Sequence, residues 1–175
     1  MYLLGRIHFY DTLSVKHDST NRNVYGFQKD AFFENPFLRS GLLLSGAENT
    51  LNGDYQFSTI DNGILTAYEV ANLALDSTEL VVLSACNTAL GDIRDAEGVY
   101  GLQRAFQLAG AKSILMTLWP IEDNAARIIM LSFYNHWING MNKSKALQEA
   151  QKELMAIPPY NHPSYWGAFV LIGKD

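Results

Sequence analysis

The single cysteine of the chain stands where a nucleophile is expected in an α/β protein. Cys86 follows the apolar run Leu80-Val81-Val82-Leu83, which is typical of a strand buried in a parallel sheet. Loops that leave the carboxyl ends of such strands line the crevice in which ligands bind. A thiolate there could attack a carbonyl carbon, provided that an imidazole takes its proton. The alternative is structural, because free cysteine is often a buried apolar filler.

Composition narrows the class of protein. The chain has 175 residues, 48% of them apolar, which suits one domain with a sizeable core. A lone cysteine excludes an intramolecular disulfide and fits a reducing compartment. The formal charge is -5 without a clustered basic stripe, so direct nucleic-acid binding is not expected. Since no secretory leader or bilayer-spanning run is evident, we expect a cytoplasmic protein without a membrane partner.

Helix signals occur in four places. Thr66 and Glu69 have the spacing of a capping box, so a helix should begin there and run to about residue 73. Gly110 suits the left-handed stop of a helix whose core face includes Leu102 and Phe106. Asp123 is expected to cap the next helix, which should end near residue 140. A last helix over residues 146–154 is expected to stop before the two prolines at 158 and 159.

Strands are expected between these helices. Apolar or β-branched runs predict strands at residues 42–45, 80–85, 113–118 and 165–172. Residues 11–40 are rich in turn formers and indicate a long surface connection, and 48–62 a turn-rich excursion. Strands that alternate with helices favour crossover units, so the sequence predicts an α/β fold with a mostly parallel sheet.

Several ordered segments together resemble a known family. They include Ser84-Ala85-Cys86, Gly98-Val99-Tyr100-Gly101-Leu102, Leu118-Trp119-Pro120-Ile121-Glu122-Asp123 and the stretch 162–169. With the segments at 35–42 and 63–69, they resemble the CHAT domain, a caspase-like cysteine peptidase family that often follows tetratricopeptide repeats. The resemblance covers residues 35–173.

The resemblance implies a fold and a chemistry. The fold would be a caspase-like sandwich, with a mostly parallel sheet flanked by helices. The activity would be that of a cysteine endopeptidase, a hydrolase that cuts peptide bonds with a Cys-His dyad in which Cys86 is the nucleophile. Its partners would be a peptide or protein substrate, and a tetratricopeptide-repeat region or regulatory protein. No cofactor or metal is expected.

The histidine of the dyad is harder to assign. The family has an Ala-Thr-His-Gly-like segment, which this chain lacks. His8 is the nearest candidate, after a short strand expected at residues 2–7, but Phe9 stands where the family's glycine helps to form the oxyanion hole. His17, His136 and His162 are weaker candidates, and no histidine has a metal-ligand spacing with Cys86. The competing hypothesis is therefore a catalytically inactive protease-like module that acts in protein–protein interaction.

Three further residues are candidates for a substrate pocket. Trp119 is expected at the same sheet edge as Cys86 and could wall a side-chain pocket, or it could be an aromatic core residue. Asp92 and Asp95 lie in an acidic stretch after the cysteine. They could favour a basic side chain at the cleavage site, or simply form a solvated loop.

The start of the chain raises a question about domain boundaries. A caspase-like sheet is expected to have two strands before the histidine strand, and only seven residues precede His8. We therefore expect residues 1–175 to form one CHAT-like domain that lacks its N-terminal strands. Such a domain would leave the edge strand near residues 2–7 unpaired.

Overall fold

The computed structural model describes residues 6–9, 37, 40–45, 47, 63–83 and 95–175, with the backbone alone for 6–9, 43 and 95–100. Within these residues there are six strands, which form two three-stranded sheets. They are β1 Arg6–Phe9, β2 Ser40–Leu43, β3 Ile64–Thr66, β4 Val81–Leu83, β5 Ser113–Thr117 and β6 Phe169–Gly173. The surface connection at 11–40 and the excursion at 48–62 lie almost wholly outside the described residues.

Five helices complete the described part of the chain. They are α1 Ala67–Val70, α2 Asp95–Leu108, α3 Asp123–Ile138, α4 Lys143–Met155 and α5 Pro163–Trp166. Helices α3 and α4 form an antiparallel hairpin that packs against the β4-β5-β6 sheet, while α1 and α2 pack on its other face. The mixture of strands and helices confirms the α/β class.

The expectation of a mostly parallel sheet is wrong for the described strands. Only β4 and β5 pair in parallel, whereas β1-β2, β2-β3 and β5-β6 are antiparallel. In the β4-β5-β6 sheet the reason is how many times the described long helices carry the chain along the sheet between two strands. The single described helix between β4 and β5 returns the chain to the starting edge, which gives a parallel strand. The α3–α4 hairpin crosses the sheet twice, so β6 begins with Phe169 opposite Thr117 and runs back.

Local signals account for several element ends. Thr66 and Glu69 form the predicted capping box, although α1 ends at Val70 rather than near residue 73. Gly110 has φ +98°, as its predicted role as a helix stop requires. Asp123 is not the cap of α3: it is the first helical residue, and Glu122 takes the N-cap position without a side-chain cap bond.

The predicted strand at 165–172 is divided between two elements. His162 caps α5, and Pro163 occupies its first position, where the missing N–H and the fixed φ of proline are tolerated. The aromatic residues 165 and 166 are therefore helical, and β6 begins only at Phe169. Aromatic content favoured a strand, but the cap decided the local structure.

The β4-β5-β6 sheet separates two apolar clusters. Alternate residues of a strand face opposite sides, so Ile114 packs with the α1–α2 side and Leu115 with the α3–α4 side. Both side chains have no exposed surface. Leu42 of β2 joins the first cluster, which ties the β1-β2-β3 sheet to the same core. The sheet thus supplies a rigid base for the loops that leave its edges.

Candidate functional site

The carboxyl ends of β4 and β5 meet at one edge of the sheet. The two strands run in parallel register, with Val81 opposite Ile114 and Leu83 opposite Met116. Every residue of β4 is buried, and so is every residue of β5. The chain leaves β4 after Leu83, and Cys86 follows three positions later. Cys86 itself lies outside the described residues.

Trp119 stands at this edge, as its position after β5 predicts. Its indole Nε1 donates a hydrogen bond of 2.8 Å to the carbonyl oxygen of Ser164 in α5. A Cβ built on Gly167 would lie 3.8 Å from the Trp119 ring, so the ring packs closely on the turn that ends α5. The ring is half-buried, and this anchor fixes its orientation while leaving part of it accessible.

The two acidic candidates for the pocket lie outside the described side chains. Asp92 is not among the described residues. Asp95 is the first residue of α2, and only its backbone is described. Their contribution to a pocket therefore stays a prediction.

His8 lies within β1 rather than after a strand. Its backbone stands opposite Gly41 of β2, and its side chain is not described. A Cβ at Gly41 would approach the carbonyl oxygen of Leu65 to 2.8 Å, so β2 and β3 pack too closely there for any other residue. Among the described pairings β1 adjoins β2 and not β4. The structure thus gives β1 no described pairing with the strand that leads to Cys86.

An apolar groove that the sequence did not predict lies between β4 and α3. Its volume is about 640 Å³. Val82 and Leu83 form one wall, and the α3 residues Met130, Tyr134 and Ile138 form the other. The signal in the sequence is a second apolar stripe at 126, 130, 134 and 138, beside the stripe at 125, 129, 133 and 137. Together they make α3 apolar over a wider arc than one neighbouring surface needs.

Two polar clusters lie away from this edge. Glu153 of α4 accepts a hydrogen bond from the Ser132 hydroxyl and pairs with His136 Nε2 at 2.8 Å. The hydrogen bond from Ser132 is the main cause that lowers the pKa of Glu153 below its ordinary value, and the hydrogen bond with His136 is the second. Ser132 bonds the carboxylate and not the imidazole, so the three groups do not have the order of a nucleophile, base and orienting acid. They bridge α3 and α4.

The second cluster lies at the amino-terminal edge of the same sheet. Glu79 binds Lys112, which lies just before β5, and its other oxygen is 3.7 Å from Lys143 Nζ. The hydrogen bond from Lys112 is the main cause that lowers the pKa of Glu79. Lys143 is only 4% exposed, and its ammonium also faces the Trp137 ring at 5.9 Å. This cluster fixes the edge opposite the candidate site.

The described residues contain neither a metal cluster nor a membrane span. No three of their His, Cys, Asp or Glu side chains lie together in a way that could hold a metal ion. No helix in the described part of the chain is long and apolar enough to cross a membrane.

The fold and the site edge define an α/β domain whose lone cysteine follows a buried strand in the sequence. An anchored tryptophan follows the parallel neighbour of that strand. The family pattern of the CHAT domain matches residues 24–174, and the chain belongs to this family. Tetratricopeptide repeat protein 28 of Mus musculus is 40% identical over 112 residues, and the Homo sapiens protein of that name is 39% identical over 112. Each match covers 64% of this chain but only 4% of the relative.

Proposed function

We propose that the chain is a caspase-like cysteine endopeptidase domain in which Cys86 is the nucleophile and His8 the general base. The observation that carries the proposal is the buried parallel pair β4–β5. Cys86 follows the last residue of β4 by three positions, and the carboxyl ends of parallel strands are where α/β proteins bind ligands. Membership of the CHAT family supports the same assignment.

The proposed peptide hydrolysis has four steps. The imidazole of His8 takes the thiol proton, and the Cys86 thiolate attacks the carbonyl carbon of the scissile peptide bond. Collapse of the tetrahedral intermediate breaks the C–N bond, and the imidazolium gives its proton to the leaving amine. Water then hydrolyses the thioester and restores the thiol.

The substrate of this site would be a peptide or a protein. Trp119 is held by its bond to Ser164, so it offers a fixed aromatic wall to a substrate side chain. Asp92 and Asp95 would complete the pocket and favour a basic side chain. A tetratricopeptide-repeat region or a regulatory protein is proposed as a partner, because the relatives carry that repeat in their name.

Thiol labelling tests the proposed nucleophile directly, because Cys86 is the only cysteine. A peptidyl electrophile should label the folded chain at pH 7 about tenfold faster than a small thiol with an ordinary pKa near 8.5. Cys86→Ala should remove both labelling and peptide cleavage. A labelling rate equal to that of the reference thiol would contradict activation.

Histidine variants test the base. His8→Ala should lower the labelling rate to that of the reference thiol, because the thiolate fraction would lose its stabilising imidazolium. His17→Ala is the matched control and should leave the rate unchanged. Equal rates in the two variants would exclude His8 as the base.

A second candidate function is a catalytically inactive module that binds protein partners. The observation that favours it is the pairing of β1 with β2, without a described pairing between β1 and β4. A chain that folds but shows neither activated labelling nor cleavage would support this function. A Cys86-dependent cleavage product would exclude it.

A further inference from the structure

The groove between β4 and α3 continues onto an open helical surface. Val82 and Leu83 form its sheet wall, and they are the last two residues of β4. On the helical wall Ala126, Met130, Tyr134 and Ile138 are spaced four residues apart, which forms one i±4 ridge along α3. Ile138 is 78% exposed at the far end of this ridge. The groove is therefore open to solvent at this end of α3.

The length of this surface indicates the shape of its occupant. Helix α3 has 16 residues, which corresponds to about 24 Å. The groove lining includes Asp123 and Ile138, the first and last residues of α3, so a compact small molecule would not reach both ends. A second helix laid along the ridge would cover both, because ridges of this spacing fit the grooves between the side chains of another helix.

Charge at one end of the groove indicates the chemistry of that helix. Helix α3 begins at the carboxyl edge of β5, where Glu122 and Asp123 are both exposed. Arg127 is the one basic residue among the described residues of the groove lining, and it donates to Asn124 Oδ1 at 2.9 Å. At that end the described residues supply the two carboxylates of Glu122 and Asp123 against the one guanidinium of Arg127, so their balance is acidic. The chain as a whole also carries a formal charge of -5, which favours a basic partner over a second copy.

We propose that this groove is the docking site for an amphipathic helix of a protein partner, with its apolar face on the α3 ridge and basic residues near Glu122 and Asp123. This mode of recognition uses apolar anchors at helical spacing. It does not depend on the proposed peptidase activity. Leu83 lies in the groove wall, three positions before Cys86, so the docked helix would lie beside the strand that leads to the proposed nucleophile.

A designed peptide tests the docking site. The probe is a fluorescein-labelled amphipathic peptide of about 16 residues, which matches α3 in length, with leucines on one face and lysines at one end. A peptide of the same composition with its leucines dispersed around the helix is the control. Fluorescence anisotropy with the 175-residue chain should show binding of the first peptide and not of the second. Binding of neither peptide, or equal binding of both, would overturn the proposal.

Two exposed residues of the same helix provide matched variants. Ile138 lines the groove, whereas Leu131 is 60% exposed and does not line it. Ile138→Glu should weaken binding about tenfold or more, because it replaces an apolar side chain that the docked helix would bury with a carboxylate. Leu131→Glu should change binding less than twofold. Equal losses in the two variants would contradict docking in the groove.

Three controls accompany these binding measurements. Circular dichroism should show that Ile138→Glu is folded, and Ile138→Ser gives a milder change for the same binding test. Cys86→Ala should bind like the unaltered chain, so a failure of the peptidase proposal leaves this one standing. Sedimentation velocity that shows a dimer broken by Ile138→Glu would assign the groove to a second copy and overturn a partner helix.

Discussion

Thr66 is the last residue of β3 and the N-cap of α1, and it forms reciprocal hydrogen bonds with Glu69. Its Oγ1 accepts from the Glu69 amide at 3.2 Å, and its own amide donates to Glu69 Oε2 at 2.8 Å. Thr66→Ala should lower the free energy of unfolding by about 1 kcal/mol, because an N-cap acceptor is lost. Thr66→Ser should retain most of the stability. Urea unfolding measures the stability of both variants. An unchanged free energy of unfolding for Thr66→Ala would show that water replaces the cap without loss of stability.

Gly110 and Gly140 offer a controlled comparison of backbone strain and crowding. Both have positive φ, +98° and +97°. A Cβ at Gly110 would lie 2.6 Å from Asp76 Oδ1 and 2.9 Å from its backbone nitrogen, whereas nothing lies within 4 Å at Gly140. Gly140→Ala should therefore cost about 1 to 2 kcal/mol for the left-handed conformation alone. Gly110→Ala should lower the stability further, because its Cβ would also clash with Asp76. Equal losses of stability for the two variants in thermal unfolding would contradict that clash.

Local residue signals proved readable from the sequence, while the catalytic pairing did not. The capping box and the stop at Gly110 depend on neighbours a few positions away, so spacing alone predicted them. A Cys86–His8 dyad depends on which strands adjoin, and two other described strands, β2 and β3, lie between β1 and β4 in the chain. Spacing carries no information on that long-range pairing, so His8 stays a prediction.

At the scale of elements, the α3–α4 hairpin has a carboxylate that should make its stability depend on pH. The folded-state pKa of Glu153 lies below its ordinary value of 4.5, so the carboxylate stabilises the fold above that pH. The contribution is lost as pH falls through the lowered pKa. Because the Glu153 side chain is 54% exposed, solvent screening limits the effect to about 1 kcal/mol or less.

Glu153→Gln should therefore destabilise the chain at pH 7 and match it in stability well below pH 4.5. Glu149→Gln is the control, because Glu149 pairs with Lys145 and Lys152 of its own helix and these ion pairs do not bridge α3 and α4. Glu149→Gln should lower the stability less than Glu153→Gln, because exposed ion pairs within one helix contribute little. Denaturant unfolding at a series of pH values measures both. A loss of stability in Glu153→Gln that stays as large at acid pH as at pH 7 would contradict the proposed effect of the Glu153 charge.

Element types were easier to predict than element directions. Helices α3 and α4 were recognisable from their apolar spacing, although α4 begins at Lys143 and the sequence marked it only from residue 146. Their endings near Gly140 and before Pro158 followed from local signals. The α3–α4 hairpin nevertheless reverses the direction of β6, and no local pattern in the sequence indicates that reversal. Asp123 was misplaced by one position because a carboxylate in the first turn favours the helix dipole as readily as a cap.

At the scale of the whole molecule, the β4-β5-β6 sheet should unite both apolar clusters in one unfolding unit. Ile114 and Leu115 are adjacent, fully buried and directed to opposite faces. Ile114→Ala and Leu115→Ala should each lose about 2 to 5 kcal/mol, since each leaves a cavity in a packed core. Denaturant unfolding followed by circular dichroism and by tryptophan fluorescence should give coincident transitions. Separate transitions for the two probes would show that the faces unfold independently.

The strand that leads to Cys86 could be predicted from the sequence, whereas the groove beside it could not. A continuous apolar run predicted the buried strand before Cys86, because burial on both faces leaves a clear pattern. The groove required knowledge of how α3 lies across β4. The apolar width of α3 is visible in the sequence, but which stripe the core covers depends on packing.

The burial of Lys143 makes its reaction with an acylating reagent a measure of how often the folded chain opens. Its amine is enclosed by the Trp137 ring, the Glu79 carbonyl oxygen at 3.3 Å and the Glu79 carboxylate, while Lys145 and Lys152 on the same helix are exposed. An acylating reagent that modifies those two lysines at once must wait for the chain to open before it reaches Lys143. Acylation of Lys143, followed by mass spectrometry, would therefore time the opening of the sheet edge opposite the candidate site without any spectroscopic probe.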